Sequence, residues 1–342
     1  MAMHIHSSFS EGGSYAAAGG GGSMMAQLAE AAKHGVDVIW WTDHDWRAQA
    51  YGYYPGMSLN GTNEDMGVRW NPREPESVVD PRHEFSVRHR GPHQRDAALR
   101  VEATAAGADW GSYFLWPKGG NSFYTTNLSD TTISVDVQGD QLGEDAEAVI
   151  EVGTSYRPAT AGRPAGEYVL QYRLGATAGR ELAEPLVGVV TTRSTRRWQT
   201  LSLNPLADIK SFWPDLVAED SVISRIWFGV RARNRSRAVA SFDRAQFHRT
   251  RDQLEWPVLT QRALMDELAP RYPTVRQHLA SEVSMVRHLN VFMPTSSCFP
   301  IRIRAWPRCW TDQPKPAGRW CRGTSSEAHS CSTTTHRSMP PS

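Results

Sequence analysis

A series of short β segments constrains the fold of this chain more than any other feature. Between residues 85 and 250, turn residues separate the segments LRVEATA, TISVDVQ, YVLQYRL, VGVVTT, WQTLSL and RIWFGVRAR. In RIWFGVRAR the apolar residues Ile226, Phe228, Val230 and Ala232 share one face and three arginines share the other, which is the pattern of a half-buried strand with one solvated face. The arginines of that face are Arg225, Arg231 and Arg233. Many short strands without intervening helices are typical of an antiparallel β-sandwich, and we expect a jelly roll over residues 85–250.

The segments on either side of this β-rich region have the pattern of α/β structure. Ser23 is placed to cap a helix through MMAQLAEAAKHG, which Gly35 ends, and the following run VDVIWWTDHD predicts a buried strand. Further along, PVLTQRALMDELAPRYP predicts a second helix ended by Pro270, and HLASEVSMVRHLNVFMP follows it. We therefore expect an α/β unit whose two parts, residues 1–50 and 251–294, are separated by the sandwich.

Two other stretches, residues 51–84 and 295–342, lack a sustained period. The first is filled with Gly, Pro, Asn and charged residues, so we expect a linker or surface loop there. The second is rich in Arg, Pro, Ser, Thr and Cys, and we expect it to be disordered. The abrupt change of character after Pro294 suggests a shifted reading frame or a chimeric end.

Charge, hydropathy and cysteine content exclude several classes of protein. The 342 residues carry a formal net charge of +1, which indicates neither a nucleic acid nor a membrane as the main partner. No apolar run approaches the roughly 20 residues of a membrane-spanning helix, and no export signal is visible, so we expect a cytoplasmic protein, or an exported one if the natural chain begins further upstream. All four cysteines lie between residues 298 and 331, so a metal site elsewhere must use His and carboxylate ligands.

Three histidines and several carboxylates are concentrated in two short motifs, HIHSSFSEGG and TDHD. On an extended backbone the side chains of His4 and His6 point to the same side. Glu11 lies on the loop that follows, His44 stands at the end of the predicted strand, and such ligands suit Zn, Mn or Fe. Asp43 could orient an imidazole or cap the following turn. The alternative to a metal site is that each of these side chains is a polar residue at the end of a strand.

The motifs HIHSSFSEG and TDHD resemble the first two motifs of the PHP (polymerase and histidinol phosphatase) family. A third segment, SEVSMVRHLNVF, is similar to the family motif in which a Glu precedes a His, with Glu282 and His288 at the matching positions. Members of this family have a distorted seven-stranded β/α barrel that binds two or three divalent ions and hydrolyses phosphate esters, and the resemblance implies an incomplete barrel of this kind, split by the sandwich, in this chain. This chain departs from the family pattern because Glu11 replaces the more common Asp and because no final Asp-x-His motif is found.

The resemblance also implies a set of site residues. The metal ligands would be His4, His6, Glu11, His44, Glu282 and His288. The residues with a catalytic role would be His4, His6, His44 and Asp43. The two or three ions, Mn, Zn or Fe, would convert a bound water into the hydroxide that attacks a small-molecule phosphoester.

The β-rich region resembles the jelly-roll sandwiches of carbohydrate-binding modules, chiefly in WQTLSLNPLADIKSFWP and VASFDRAQFHR. This resemblance implies a saccharide or another polymer as the partner. The alternative to a phosphoesterase is therefore a carbohydrate- or polymer-binding protein whose barrel fragment is inactive. A third possibility is a damaged gene product that folds only in part. Trp110, Trp116 and Trp213 are the candidates for stacking on a sugar, and packing in the core is the simpler explanation of each.

Overall fold

The computed structural model describes residues 1–9, 23–44, 56–57, 59, 61–63, 68–86, 97–118, 127–250, 256–283 and 289–292. The chain divides into two units, Met1–Pro294 and Thr295–Ser342, and every described residue belongs to the first. The expected disorder of residues 295–342 therefore lies outside the described residues.

The described residues form strands and α-helices that we number in chain order. The elements are β1 Ala2–Ile5, α1 Met24–Lys33, β2 Val38–His44, β3 Gly56–Met57, β4 Thr62–Asn63, β5 Val68–Pro72, β6 Val78–Ser86, β7 Ala98–Ala105, β8 Gly111–Lys118, β9 Thr131–Gln141, β10 Ala146–Arg157, β11 Gly166–Gly175, β12 Gly179–Glu184, β13 Val187–Arg193, β14 Gln199–Leu203, α2 Pro205–Phe212, β15 Arg225–Ala232, β16 Arg237–Arg249, α3 Trp256–Leu268, β17 Arg276–Val283 and β18 Leu289–Phe292.

One sheet has four strands in the order β1–β2–β17–β18. Strands β1 and β17 each pair with β2 in parallel, whereas β18 pairs with β17 in the antiparallel direction. Helices α1 and α3 cover one face of this sheet, where Leu28 of α1 and Leu264 of α3 belong to one apolar cluster with Trp41 of β2. The sheet thus brings together the two flanking segments of the sequence, as the α/β pattern of each indicates.

This sheet corrects the fold predicted for the flanking segments. A β/α barrel closes a ring of parallel strands. The four strands form an open sheet instead, because β18 turns back antiparallel along β17 rather than continuing through a crossover helix. The described residues contain no β/α barrel, so the prediction of an incomplete, distorted β/α barrel split by the sandwich is wrong.

Helix α1 lies where the sequence predicts it. The Ser23 hydroxyl accepts a hydrogen bond from the backbone N–H of Ala26 at 3.0 Å, which satisfies one of the free donors at the start of the helix. Gly35 has a φ of +68°, the left-handed conformation that ends many helices. The capping chemistry of the sequence therefore fixes both ends of this helix.

Two further sheets form the β-sandwich that the sequence predicts. One has eight strands in the order β12–β13–β11–β10–β15–β8–β5–β4, and the other has the order β14–β9–β16–β7–β6 with β3 paired to β16. The pairings in both are antiparallel apart from that of β11 with β13. Inward-facing side chains such as Leu99, Leu170 and Phe228 form one apolar core between the sheets. Because alternate residues of each strand fill this core, the opposite residues form an outer face.

Two parts of the sandwich differ from the sequence prediction. Residues 51–84 were expected to be a linker, yet β5 pairs with β8 and β6 pairs with β7, and the ring of Trp70 is buried in the core. β4 and β6 are edge strands, and edge strands tolerate Pro, Gly and charged residues. These residues interrupt the alternation of polar and apolar side chains by which a strand is recognised in sequence. Helix α2 was also unexpected, although Asn204 caps it and Pro205 occupies its first turn. No helix among the described residues is both long and apolar enough to cross a membrane.

Candidate functional site

Three of the predicted ligands meet at the end of the four-stranded sheet. The Nε2 atom of His4 lies 3.0 Å from Nε2 of His6 and 2.9 Å from Oε2 of Glu282, and Nε2 of His6 lies 3.1 Å from the same Oε2. These three side chains could hold a metal ion. We call them the His-Glu cluster.

The parallel pairing of β2 with β17 explains how residues so far apart in sequence meet. Glu282 is opposite His44 in this pairing, and His4 and His6 follow from β1 on the other side of β2. The carboxyl ends of the three parallel strands therefore share one edge of the sheet. A bulge in β1 between Ala2 and Ile5 shifts its register beside this edge.

Burial differs sharply across the His-Glu cluster. The side chain of Glu282 is 1% exposed, that of His6 is 10% exposed and that of His4 is 50% exposed. A carboxylate removed from water requires compensating positive charge and hydrogen bonds. Either a protonated imidazole or a bound cation would supply the charge, and His4 leaves a route for an ion from solvent.

Asp43 lies on the other side of the sheet from Glu282. Its carboxylate accepts hydrogen bonds from the backbone N–H and the hydroxyl of Ser7, both at 2.6 Å, and from the side-chain amide of Gln261. It is 2% exposed. Asp43 therefore supports the segment that carries His6 through Ser7. Its role in orienting an imidazole stays a prediction.

The remaining predicted site residues cannot be placed in the cluster. The backbone of His44 ends β2, and the structure describes this residue by its backbone alone. Glu11 and His288 lie outside the described residues. Their roles as metal ligands stay predictions.

Two supporting side chains were missed by the sequence reasoning. The amide of Gln27 in α1 donates to the backbone oxygen of His6 at 2.7 Å, and Gln261 in α3 binds Asp43 as described above. Neither glutamine belongs to a recognised motif. The one available signal is that both are polar residues on helices that cover a sheet with their apolar faces, which is a frequent and unspecific pattern.

The outer face of the eight-stranded sheet is the second candidate site. Neighbouring strands place five of its side chains in one transverse line, which we call the outer row. It consists of Asn71, Trp116, Trp227, Glu151 and Gln171. Asn71 pairs with Trp116, and Glu151 pairs with both Trp227 and Gln171. The pairing of Leu115 with Phe228 places Trp227 next to Trp116 in register. At the usual strand spacing of about 4.8 Å the row is about 19 Å long.

The two ends of the outer row differ in how well their polar groups are paired. At one end, the carboxylate of Glu151 accepts from Arg225 at 2.9 Å and from Gln171 at 2.9 Å. At the other end, the buried Nδ2 of Asn71 has no hydrogen-bond partner within the described part of the chain. Trp116 beside it is half-buried, and no ring or guanidinium contact of its side chain is found among the described residues. Trp116 thus gives this end a ring surface that no described arginine covers, while the amide nitrogen of Asn71 beside it is buried.

Arginines of the outer face pack against tryptophans. The guanidinium of Arg73 lies 4.7 Å, and that of Arg225 4.5 Å, from the ring centre of Trp227. Arg231 lies 3.8 Å from the ring centre of Trp110. Such contacts stabilise a desolvated cation, and they leave less of each ring surface for a ligand than Trp116 retains.

The arginines of β15 do not form the solvated strand face that the sequence suggested. Arg225 is 26% exposed and pairs with Glu151, while Arg231 is 16% exposed and lies 3.4 Å from Glu147. Burial, followed by the charge of Arg173, lowers the pKa of Arg231 to about 10. The prediction failed because carboxylates on the same face of the neighbouring strand β10, Glu151 and Glu147, form ion pairs with these arginines.

The three tryptophans proposed for sugar stacking have different surroundings. Trp213 is 1% exposed and donates its indole N–H to the backbone oxygen of Pro185 at 3.0 Å, so it belongs to the core. Trp110 lies under Arg231 and Arg233. Trp116 is the one of the three that combines a place on the outer face with a ring not covered by a described arginine.

Comparison with known proteins gives likenesses in structure alone. No model of a protein family matches the sequence, and no curated protein matches it. The family 11 carbohydrate-binding module of the cellulosomal cellulase Lic26A-Cel5E of Clostridium thermocellum is 12% identical with a TM-score of 0.31, over 56% of this chain and 93% of that chain. The catalytic domain of Humicola grisea Cel12A, in complex with a thio cellotetraose, is 10% identical with a TM-score of 0.35, over 56% of this chain and 98% of that chain.

A xylan-binding domain, CBM22-1 of Paenibacillus barcinonensis Xyn10C, is 11% identical with a TM-score of 0.27, over 57% of this chain and 93% of that chain. At these TM-scores and identities no family and no activity follow for this chain. The predicted membership of the PHP family is wrong, because the described strands form an open four-stranded sheet and a sandwich but no barrel, and no family model supports it. The prediction of a metal-dependent phosphoesterase activity is therefore also wrong.

Proposed function

We propose that the protein binds a saccharide on the outer face of its eight-stranded sheet. The observation that carries the proposal is the half-buried ring of Trp116, which no described arginine covers and which lies beside Asn71 at one end of the outer row. An indole ring offers a flat apolar surface for the C–H face of a sugar ring, and an amide can bond its hydroxyl groups. Carbohydrate-binding modules among the matched structures agree with such a partner, whereas nothing supports a small-molecule phosphoester.

The rest of the outer row defines the direction in which a longer saccharide would lie. The row crosses the strands over about 19 Å and continues from Trp116 to Glu151 and Gln171. A chain of sugars along it would meet an aromatic surface first and a paired, polar surface second. A row of this length suits an extended polymer better than a compact small molecule, which typically binds in an enclosed pocket.

Titration calorimetry of the full chain with soluble β-glucans, xyloglucan and xylan tests the proposal. Replacing Trp116 by Ala should weaken binding at least about tenfold, because a stacked ring contributes on the order of 1.4 kcal/mol. Trp40→Ala is the matched control, since Trp40 is half-buried on the four-stranded sheet and away from the outer row. A wild-type protein that binds none of these polymers, or a Trp116→Ala variant that binds like the wild type, would refute the proposal.

A specific observation favours a second function, the binding of a divalent cation by the His-Glu cluster. Metal–ligand bonds of about 2.1 Å at right angles place neighbouring ligand atoms about 3.0 Å apart. The three distances in the cluster are 2.9, 3.0 and 3.1 Å. Two imidazoles and one carboxylate form a donor set that suits Mn²⁺, Fe²⁺ or Zn²⁺, so the residues present fit such an ion.

His4, His6 and Glu282 would hold the ion, and His44, Glu11 and His288 are proposed as further ligands. When bound, the ion would supply the positive charge that the buried carboxylate of Glu282 requires. Equilibrium dialysis against Mn²⁺ and Zn²⁺, with metal quantified by mass spectrometry, should give stoichiometric binding that Glu282→Gln abolishes. His278→Ala is the control because His278 lies on the same strand but outside the cluster. Wild-type protein without stoichiometric metal would refute this second function.

A further inference from the structure

The peptide unit between His6 and Ser7 is held from both sides by side chains of other elements. Its oxygen, on His6, accepts a hydrogen bond from the amide of Gln27 in α1 at 2.7 Å. Its N–H, on Ser7, donates to the carboxylate of Asp43 in β2 at 2.6 Å. The preceding oxygen, on Ile5, accepts from the hydroxyl of Thr42 at 3.3 Å. The backbone on both sides of His6 is therefore bonded to α1 or β2.

The orientation of one peptide plane determines where the following and preceding side chains can point, since the backbone has only two soft dihedrals per residue. Fixing both polar groups of the His6–Ser7 peptide fixes the ψ angle of His6 and the direction of its Cα–Cβ bond. The ring of His6 is 10% exposed, so it has little room to compensate for a rotated backbone.

Asp43 is itself held in place by a third element. The amide of Gln261 in α3 donates to its Oδ2 atom and lies 3.1 Å from the hydroxyl of Ser7. The Ser7 hydroxyl in turn donates to Oδ2 of Asp43 at 2.6 Å. This arrangement is closed and buried, and in such a network each member restricts the rotamers of the others.

We propose that Gln27 and Asp43 are positioning residues that clamp the His6–Ser7 peptide so that His6 faces His4 and Glu282, with Gln261 holding Asp43. The inference rests on the second proposed function, the cation site. It assigns to α1 and α3 a role beyond covering the sheet. Residues that support metal ligands typically change metal affinity 10- to 100-fold when they are replaced, and we expect losses in this range for Asp43→Asn and Gln27→Leu.

Binding of Co²⁺ to the full chain tests the clamp, because the visible absorption spectrum of this ion reports the geometry of its ligands. Asp43→Asn and Gln27→Leu should each lower Co²⁺ affinity about 10- to 100-fold and alter the spectrum at saturating metal. Asp208→Asn is the matched control: Asp208 is a buried carboxylate in the sandwich that accepts from Tyr172 and Arg180. Its replacement should lower stability while leaving the affinity and the spectrum as in the wild type.

The outcomes separate the clamp from the site on which it depends. A wild-type protein that binds no Co²⁺ removes the proposed cation site and the clamp together. If the wild type binds Co²⁺ and the Gln27→Leu and Asp43→Asn variants bind it with the same affinity and spectrum, the clamp is refuted and the cation site is supported. If Asp43→Asn does not fold, Gln27→Leu decides alone, since Gln27 is half-buried on a helix surface and its loss leaves no charge unpaired.

Discussion

Replacing Asp220 by Ala should destabilise the protein by about 3–5 kcal/mol, which is the typical cost of breaking a buried ion pair. The side chain of Asp220 is 0% exposed and that of its partner Arg157 is 2% exposed, with Nη1 of Arg157 3.3 Å from Oδ2 of Asp220. The same carboxylate accepts from the backbone N–H groups of Met24 and Met25 at 2.8 and 2.9 Å, and from the hydroxyl of Ser8 at 2.9 Å.

The magnitude follows from what the replacement leaves behind. Two N–H groups at the start of α1 lose their acceptor, and each unsatisfied buried donor costs about 1–3 kcal/mol. Arg157 keeps hydrogen bonds from Nη2 to the backbone oxygens of Val217 and Asp220 at 3.1 and 2.6 Å. The variant therefore removes only part of the interactions that stabilise the buried guanidinium. A guanidinium without a counter-charge in a buried site supplies the rest of the cost.

Equilibrium unfolding in urea, followed by tryptophan fluorescence and by far-UV circular dichroism, measures this effect when the two probes coincide. The surface pair Arg163 and Asp215 provides the control, because the Asp215 side chain is 60% exposed and Asp215→Ala should cost no more than about 1 kcal/mol. The double variant Arg157→Met/Asp220→Ala should cost clearly less than the sum of the two single variants. Equal costs for Asp220→Ala and Asp215→Ala, or additive single variants, would refute the reasoning.

Three further predictions concern the sandwich. Trp213→Ala should cost about 3–5 kcal/mol in urea unfolding, because it empties a buried core position, and a cost below about 1 kcal/mol would contradict that placement. Gly229→Ala should cost about 3 kcal/mol, since its Cβ would lie 2.1 Å from the backbone oxygen of Tyr113, whereas Gly107→Ala meets nothing within 4 Å and should be neutral. Burial lowers the pKa of His83 below its usual value, so the unfolded chain binds a proton more readily than the folded protein. Stability should therefore fall as the pH drops through about 6.5 toward the lowered folded pKa, and His83→Gln should flatten this part of a urea-denaturation pH series.

The elements of this fold were predictable where the local pattern is strong. Helix α1 carries its own cap at Ser23 and its own stop at Gly35, and every second residue of β15 from Ile226 to Ala232 is apolar and buried. Strand β6 has weaker signals, because it includes Asp80 with a φ of +51° and a register shift between Val79 and Arg82. A bulged edge strand interrupts the alternation on which sequence prediction depends.

The candidate sites were predictable in residue type but not in their surroundings. The spacing of His4 and His6 places two imidazoles on one side of the chain, and the cluster has that arrangement. The inference from this motif to a barrel and a phosphoesterase failed. A short motif determines which ligand atoms lie close together, but it does not determine the fold that surrounds them. The outer row could not be seen at all, since Asn71 and Gln171 are brought into line by four strand pairings.

The segment His6–Ser7–Ser8 links the His-Glu cluster to the sandwich. The peptide after His6 is bound by Gln27 and Asp43, and one residue later the hydroxyl of Ser8 donates to Asp220 of the sandwich. Asp220 also caps α1, the helix that carries Gln27. The sandwich therefore fixes both the chain that follows His6 and the helix that clamps it, so the geometry of the His-Glu cluster depends on the docking of the sandwich as well as on the four-stranded sheet.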